Sequence, residues 1–387
     1  MPPSIASFGD QRPLGASHKH GLEAGGALDD PFDVIVIGSG AAGAIAAEAF
    51  VRAGLHTLLL EGGARLRGDA ENAAVDAGAT RALAGDDETG WDTKGWPWTT
   101  RNLGGGTVFY GGASFRYTDF DPGERIHVDG LQTKWPIDSA VLAPYYAEME
   151  ARLSVDRAGF MCIRRQAPAS SSLPAEQLWA SALRLGLVYR GPFSTVCVLD
   201  HYLDEQCPTG VGGLIYEANH DEWRQLQVNG LVLRVETILA DHPAFHNRVR
   251  LSSNTDRCGL PQIMIDYTTD PRDTARLAYM VQRSTDWLKA AGANDIQYEP
   301  SNFAMGSTHL HGTCRAGDDA RTSVVDANGR VHSLDNVYVA DGSYMPYPGG
   351  LNPTLTIQAN SLRIARLVAR EAVSQGSATL APQPASR

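Results

Sequence analysis

The sequence predicts an α/β fold, a βαβ lobe interwoven with a second, α+β lobe. Three observations predict it. An apolar run, Asp33-Val34-Ile35-Val36-Ile37, leads straight into Gly38-Ser39-Gly40-Ala41-Ala42-Gly43, the GxGxxG spacing, and then into an alanine-rich segment. A second apolar run, Thr57-Leu58-Leu59-Leu60, ends on Glu61, 21 residues beyond Gly40. Near the other end, Asn352-Pro353 opens a long segment of helical periodicity that begins at Thr354.

The elements follow in order. Residues 1–30 lack periodicity and carry Gly, Pro and Ser, so a loose tail is expected. The first strand starts at Asp33, and its helix runs from Ala41 to Ala53, where Gly54 supplies the C-cap. Thr57–Leu60 is the second strand, followed by Glu61, Gly62 and Gly63. Residues 64–102 are polar and irregular and end in Trp91, Trp96 and Trp98, which suit either a carbohydrate site or an aromatic core. A glycine-rich stretch, Asn102-Leu103-Gly104-Gly105-Gly106-Thr107, continues through Gly111-Gly112. Trp135-Pro136-Ile137-Asp138 turns into a helix from Ser139 to Leu153.

Beyond it, residues 160–215 mix loop and short-element signals, with Ser170-Ser171-Ser172 as a flexible link. Val228–Val235 and Val249–Ser252 are apolar and β-branched and read as strands. Asp273–Ala291 reads as an amphipathic helix stopped by Gly292. Asn336–Ala340 reads as a buried strand, and the last helix spans roughly Thr354 to Val373.

Composition excludes several classes of function. A hydrophobic fraction of 43% is that of an ordinary soluble protein with ample material for a core. A formal charge of −11 argues against nucleic acid, whose phosphates attract an excess of Lys and Arg. No apolar run approaches the roughly 18–20 residues a membrane span needs. The start of the chain lacks a basic segment followed by an apolar one, so a cytoplasmic protein is expected. Its five cysteines are odd in number and show no CxxC spacing, against a disulfide framework, a zinc site or an iron–sulfur cluster.

The first motif is built to hold a dinucleotide. Gly38 permits the turn off the strand, Gly40 lets the backbone approach a pyrophosphate, and Gly43 allows close helix–strand packing. The N–H groups of Gly40, Ala41 and Ala42 open the helix, where partial positive charge favours phosphate. Glu61 stands where a carboxylate can accept hydrogen bonds from ribose hydroxyls. Both NAD and FAD carry that moiety, so this motif alone does not choose between them.

The C-terminal part supplies Ser307-Thr308-His309-Leu310-His311-Gly312-Thr313, then Val339-Ala340-Asp341-Gly342-Ser343, then Asn352-Pro353-Thr354-Leu355-Thr356. These segments, with the glycine-rich stretch at 102–112 and Ser323–Val331, resemble in order the motifs of the glucose-methanol-choline (GMC) oxidoreductase family. The resemblance covers roughly residues 33–155 and 245–370. It implies an FAD-binding, Rossmann-like domain with an interwoven α+β substrate domain, abbreviated in the middle. It implies oxidation of a CH–OH group of a small alcohol, sugar or polyol, with the carbinol hydrogen leaving as hydride to flavin N5. The FAD contacts it implies are Gly38, Gly40, Ala41, Ala42, Gly43, Glu61, Gly62, Asn102, Gly104, Gly105, Gly106, Thr107, Asp341, Gly342, Asn352, Pro353 and Thr354.

His309 and Asn352 match the family's catalytic pair. A neutral imidazole suits removal of the hydroxyl proton, and Asn352 can steady the developing alkoxide. His311 is the rival base, since in an extended segment the two rings point to opposite faces and register decides. Asn352 is equally placed to cap the helix ahead of Pro353. The Asn-Pro pair is closer to the sugar-oxidising, gluconate-dehydrogenase-like branch.

Phe109 and Tyr110 stand where covalently flavinylated relatives have histidine, so the FAD is expected to be noncovalent. Residues 190–230 lack the long stretch that completes the family's flavin-domain sheet. Open sheet edges are therefore expected, covered by a partner subunit, a homodimer contact or local rearrangement; a more open pocket and impaired flavin binding are the alternatives. The expected division is a tail (1–30), the first part of the FAD domain (31–135), a shortened substrate domain (136–305), a C-terminal FAD and active-site segment (306–375) and a tail (376–387). Two other functions fit the same residues: a flavin-containing lyase or other non-redox relative, and a non-catalytic flavoprotein subunit.

Overall fold

The computed structural model describes residues 31–62, 103–108, 113–117, 125–126, 132–153, 155, 189–190, 197–198, 207, 213–217, 235–255, 261–293, 295–298, 309–347 and 349–379. The expected N-terminal tail (1–30), residues 380–387 of the expected C-terminal tail (376–387), Trp91, Trp96, Trp98, Asn102, Phe109, Tyr110, Gly111, Gly112, Ser170–Ser172 and most of Val228–Val235 lie outside the described residues. Residues 376–379 continue the last helix instead of forming a tail.

The βαβ unit forms as expected. Strand β1 (Val34–Ile37) pairs in parallel with β2 (Thr57–Leu60), Val34 opposite Thr57 and Ile37 opposite Leu60. Between them runs α1 (Ala41–Arg52), which buries Ala42, Ala46, Ala49 and Phe50. Those positions recur at helical spacing, and three of the four are alanines, so a neighbouring helix can approach closely. Past the helix end, the Leu55 amide donates to the Phe50 carbonyl at 3.1 Å, closing the C-terminus around Gly54.

That neighbour is the last helix, called α4 here (Thr354–Thr379). From Leu355 to Ala365 it is buried on nearly every side, as a central helix must be. Several of its polar side chains are paired. The Ser361 hydroxyl donates to the Ala42 carbonyl at 2.8 Å, and the Arg363 guanidinium donates to the Ala327 carbonyl at 2.6 Å. Helix α2 (Ser139–Leu153) starts at an Asp138 cap and turns Leu142, Tyr146 and Met149 onto the same core. Glu148 of α2 accepts from both Arg152 and Arg366, which holds its carboxyl below the usual range, and Arg152 also reaches Glu48 of α1. A charged network thus ties the three helices together at the edge of an apolar core.

The second lobe is a four-stranded antiparallel sheet in chain order, β5 (Tyr189–Arg190), β6 (Cys197–Val198), β7 (Gly213–Glu217) and β8 (Val235–Leu239). Two short strands, β3 (Arg125–Ile126) and β4 (Gln132–Thr133), precede it. Helix α3 (Pro271–Ala290) covers β7 and β8 through Ile215, Met280 and Trp287. It starts earlier than the periodicity suggested, because Asp270 accepts the Arg272 amide at 2.7 Å and Pro271 takes the first helical position. A hairpin of β9 (Arg248–Thr255) and β10 (Pro261–Asp266) carries the apolar run expected at Val249–Ser252.

One element is corrected. Asn336–Ala340 is not a buried strand: only Tyr338 forms a bridge, to Arg330, and Val337 is 41% exposed. Apolar composition makes a strand only where a partner edge is offered. Here the segment meets the tight turn at Asp326–Arg330 instead, with the Val339 amide on the Gly329 carbonyl at 2.8 Å. Among the described residues β1 has β2 as its one strand neighbour, and the face of that pair away from α1 is bare, with Ile35 57% and Ile37 84% exposed. No helix of the described residues is long and apolar enough to cross a membrane.

Candidate active site

The phosphate-binding half begins where β1 ends. Gly38 turns the chain at φ +91°, and its amide donates to the Leu60 carbonyl at 2.8 Å. Gly40 precedes α1 without a side-chain cap, so the helix N-terminus is free to face an anion. A Cβ on Gly43 would lie 1.9 Å from the Gly38 carbonyl oxygen, so helix and turn touch backbone to backbone.

Ser39, the variable residue inside the motif, ties this half together. Its amide and hydroxyl both donate to the Glu61 carboxylate, at 2.9 and 2.6 Å, and its hydroxyl oxygen accepts the Gly104 amide at 2.9 Å. The glycine-rich stretch is thereby docked on the first loop, close enough that a Cβ on Gly105 would meet Gly40 Cα at 3.0 Å. Gly105–Val108 then forms a 3-10 turn, closed by the Thr107 hydroxyl on the Gly104 carbonyl at 2.5 Å. Thr107 therefore shapes the loop. Sequence reasoning picked out Glu61 and Gly104 and missed Ser39, although a hydroxyl beside two glycines and before a helix is a recognisable signal.

These residues fit an adenine dinucleotide. A carboxylate stands at the end of β2, a bare helix N-terminus beside it, and two glycine loops leave room for a ligand's backbone approach. Replacing Ser39 by alanine removes the two hydrogen bonds of the hydroxyl, to Glu61 and from the Gly104 amide, and leaves the backbone bond to Glu61. FAD affinity is expected to fall about tenfold, read by fluorescence titration of the apoprotein.

The reacting half joins two distant segments. Asn352, two residues ahead of α4, donates from Nδ2 to His309 Nε2 at 3.1 Å. An amide nitrogen has only hydrogens to offer, so Nε2 is the lone-pair nitrogen of a neutral ring. Burial pushes the His309 imidazole down to about 4, and the charge of His311 adds to the effect. Residues 312–316 are pinned to the segment after Asp341 by three backbone bonds. These are Gly312 N–H to Gly342, Cys314 N–H to Ser343 and Ala316 N–H to Tyr344.

Asp341 caps its own turn by accepting the Ser343 amide at 3.0 Å and the Ser343 hydroxyl. In this arrangement Asp341 and Gly342 hold the histidine loop. Of the two histidines it is the His309 ring that meets Asn352, while the His311 ring turns back and its Nδ1–H donates to the His309 carbonyl at 2.8 Å. Tyr117 packs against Gly349 and joins Trp135, Tyr344 and Tyr347 in an aromatic cluster. Because Asn352 leads into α4, and α4 packs on α1, the two halves are fixed by one helix pair.

Known proteins share these features. A family model described as FAD binding domain matches residues 33–106, and one described as GMC oxidoreductase matches residues 243–361. The chain is 39% identical to paromamine 6'-oxidase of Streptomyces fradiae, over 95% of this chain and 96% of that protein. It is also 39% identical to 6'''-hydroxyparomomycin C oxidase of Streptomyces lividus, over 92% of this chain and 94% of the relative. The first alignment spans 523 positions against the 387 residues of this chain, so the relative carries segments with no counterpart here. Among solved structures, pyridoxine 4-oxidase from Mesorbium loti superposes with a TM-score of 0.50 at 15% identity, covering 88% of this chain and 99% of that one. An FAD-dependent oxidoreductase from Chaetomium thermophilum gives 0.51 at 11% identity, with the same coverage, and both speak to the fold alone.

Proposed function

The chain belongs to the GMC oxidoreductase family, and from that premise we propose that it oxidises a CH–OH group of a sugar or amino sugar, with His309 as base and Asn352 as its partner. FAD is the cofactor of the family, and when bound it supplies the two-electron acceptor for the carbinol hydride. The single observation that carries the residue assignment is the Asn352–His309 hydrogen bond, which presents a neutral ring nitrogen.

A substrate hydroxyl entering there takes the place of the Asn352 amide at His309 Nε2, donating its O–H to that nitrogen while its oxygen accepts from the displaced Asn352 amide. His309 takes the proton as the C–H bond gives up its hydride, leaving a carbonyl product and an imidazolium that later releases the proton. Asn352 stabilises the oxygen while it carries negative charge. The two Streptomyces relatives are named for aminoglycoside oxidation, which directs the substrate search to alcohols of amino sugars.

Other parts of the reading have narrower support. The cofactor is noncovalent, on the sequence at Phe109-Tyr110. The first lobe is Rossmann-like, on the parallel β1–α1–β2 unit. The split between an FAD domain (31–135 and 306–375) and a substrate domain (136–305) is favoured by two cores. One is shared by α1, α2, α4 and the C-terminal segment, the other by α3 and its sheet. A cytoplasmic location agrees with the free thiol of Cys314.

The test is an absorbance spectrum between about 300 and 550 nm before and after denaturation, followed by anaerobic addition of alcohols. Flavin released into the supernatant and bleached by an amino sugar supports the proposal. A colourless chain that takes up no FAD sinks it. A second reading, a flavoprotein completed by another subunit, is favoured by the bare face at Ile35 and Ile37, and predicts flavin uptake only with that subunit present.

The low proton affinity of His309 has a kinetic consequence. A base whose proton leaves at about pH 4 is ready throughout the neutral range. The acid limb of kcat/KM is therefore expected near pH 4, well below the ~6.5 of an ordinary histidine. A profile of flavin reduction against pH with its limb near 6.5 would contradict the burial of this ring.

A further inference from the structure

We propose that His311 and Asp241 are positioning residues that aim the His309 ring at Asn352. The proposal rests on the reading of His309 as the base and assigns what holds it. His311 Nδ1–H donates to the backbone carbonyl of His309 at 2.8 Å, and its other nitrogen, Nε2, lies 3.9 Å from Asp241 Oδ1. Both ring nitrogens thus face oxygen acceptors, so the imidazole bridges the loop that carries the base to the end of the second lobe.

Asp241 is itself fixed. It follows β8 directly, and Tyr267, after β10, donates its hydroxyl to Asp241 Oδ2 at 3.5 Å. The next residue, His242, is anchored through its amide and Nδ1 to the buried Asp273 of α3, which also meets Arg276 at 3.1 Å. From the loop itself, Arg315 lies over the Phe245 ring, a second tie to the same stretch. The catalytic histidine comes from the C-terminal segment, while its brace comes from the substrate lobe. The geometry of the base thereby depends on how the two lobes meet.

Two consequences follow. Loss of the brace lets the carbonyl of His309 rotate, and with it the ring, so the rate of the chemical step drops while alcohol binding does not. Loss of the His311 charge removes a positive neighbour that opposes protonation of His309. Charged and titratable groups around the brace are Asp241, the Tyr267 hydroxyl, His242, Asp273 and Arg276. Asp273 is already engaged with His242 and Arg276, and burial raises the Tyr267 hydroxyl well above the usual range.

The test uses the FAD-loaded full chain and three variants. His311→Leu removes donor and charge, His311→Gln keeps a donor for the carbonyl without the charge, and Asp241→Asn removes the outer carboxylate. Anaerobic flavin reduction should slow about tenfold in His311→Leu with KM little changed, and His311→Gln should restore most of that rate. Ring-nitrogen NMR of 15N-histidine protein, which needs no turnover, should show the His309 midpoint rising by about one pH unit in His311→Gln.

Asp241→Asn should lower kcat less than His311→Leu, again without a change in KM. Unchanged kcat in flavin-replete His311→Leu, or a loss in KM alone, overturns the positioning role. An unmoved His309 midpoint in His311→Gln overturns the charge effect, and wild-type kcat and spectra in Asp241→Asn remove Asp241 from the proposal. If no alcohol reduces the flavin of the wild-type chain, the base assignment falls, and the NMR arm still decides whether His311 and Asp241 hold the ring.

Discussion

Replacing His309 by alanine is expected to leave FAD bound and to slow its reduction by an alcohol by roughly 10²- to 10⁴-fold, the span typical of losing a general base. His309 lies in the 309–317 loop, whereas the cradle is built from Gly38–Gly43, Glu61 and Gly104–Gly106, so cofactor content and rate should separate. The loop itself keeps its backbone ties at Gly312, Cys314 and Ala316, none of which involves the imidazole. Alanine also removes the acceptor of the Asn352 amide, leaving that group for the substrate oxygen. KM should therefore change far less than kcat. The measurement is stopped-flow bleaching of the flavin under anaerobic conditions, with the flavin-to-protein ratio fixed beforehand. A variant that loses rate and flavin together would show that His309 supports the fold rather than the chemistry.

What could be read from the sequence was what neighbouring residues decide among themselves. Strand β1, the glycine turn, α1 and β2 carry their own signals within one stretch, and the helix ends at Gly54 and Gly292 follow from single residues at positive φ. The proposed catalytic pair was legible as residue types but not as a geometry. Whether His309 or His311 meets Asn352 depends on register against Gly342, Ser343 and Tyr344, far along the chain, and no local pattern encodes it.

Ser39 escaped notice for a similar reason: its three partners are Glu61, twice, and Gly104, all distant in sequence. Asn336–Ala340 failed in the opposite direction. Its apolar residues promised a strand, but pairing is a property of two segments, and the turn at Gly329 supplied the partner instead of another strand.

Gly43→Ala should cost the protein both its cofactor and much of its stability. The added methyl would stand 1.9 Å from the Gly38 carbonyl oxygen and 2.9 Å from its carbon, with Val36 Cγ1 at 3.5 Å beyond. Backbone offers no flexible end that could swing aside, so α1 must move off the turn. Helix α1 cannot move alone, because Ser361 of α4 donates to the Ala42 carbonyl and the alanine face of α1 packs on the same helix. Overpacking of this kind costs about 1–3 kcal/mol, more where backbone must yield, and chemical denaturation of the apoprotein would measure it.

Gly106→Ala separates this cause from the cofactor's own demand for space. A methyl added at Gly106 would meet no described atom within 4 Å, and the residue has no positive φ, so the fold should accept alanine with a change within about 0.5 kcal/mol. If FAD passes close to that loop, the same methyl will weaken flavin binding while the denaturation midpoint stays put. Should Gly106→Ala bind FAD as well as the natural chain does, the open space at the second glycine loop does not belong to the cofactor. The cradle would then consist of Gly38–Gly43, Ser39 and Glu61 alone.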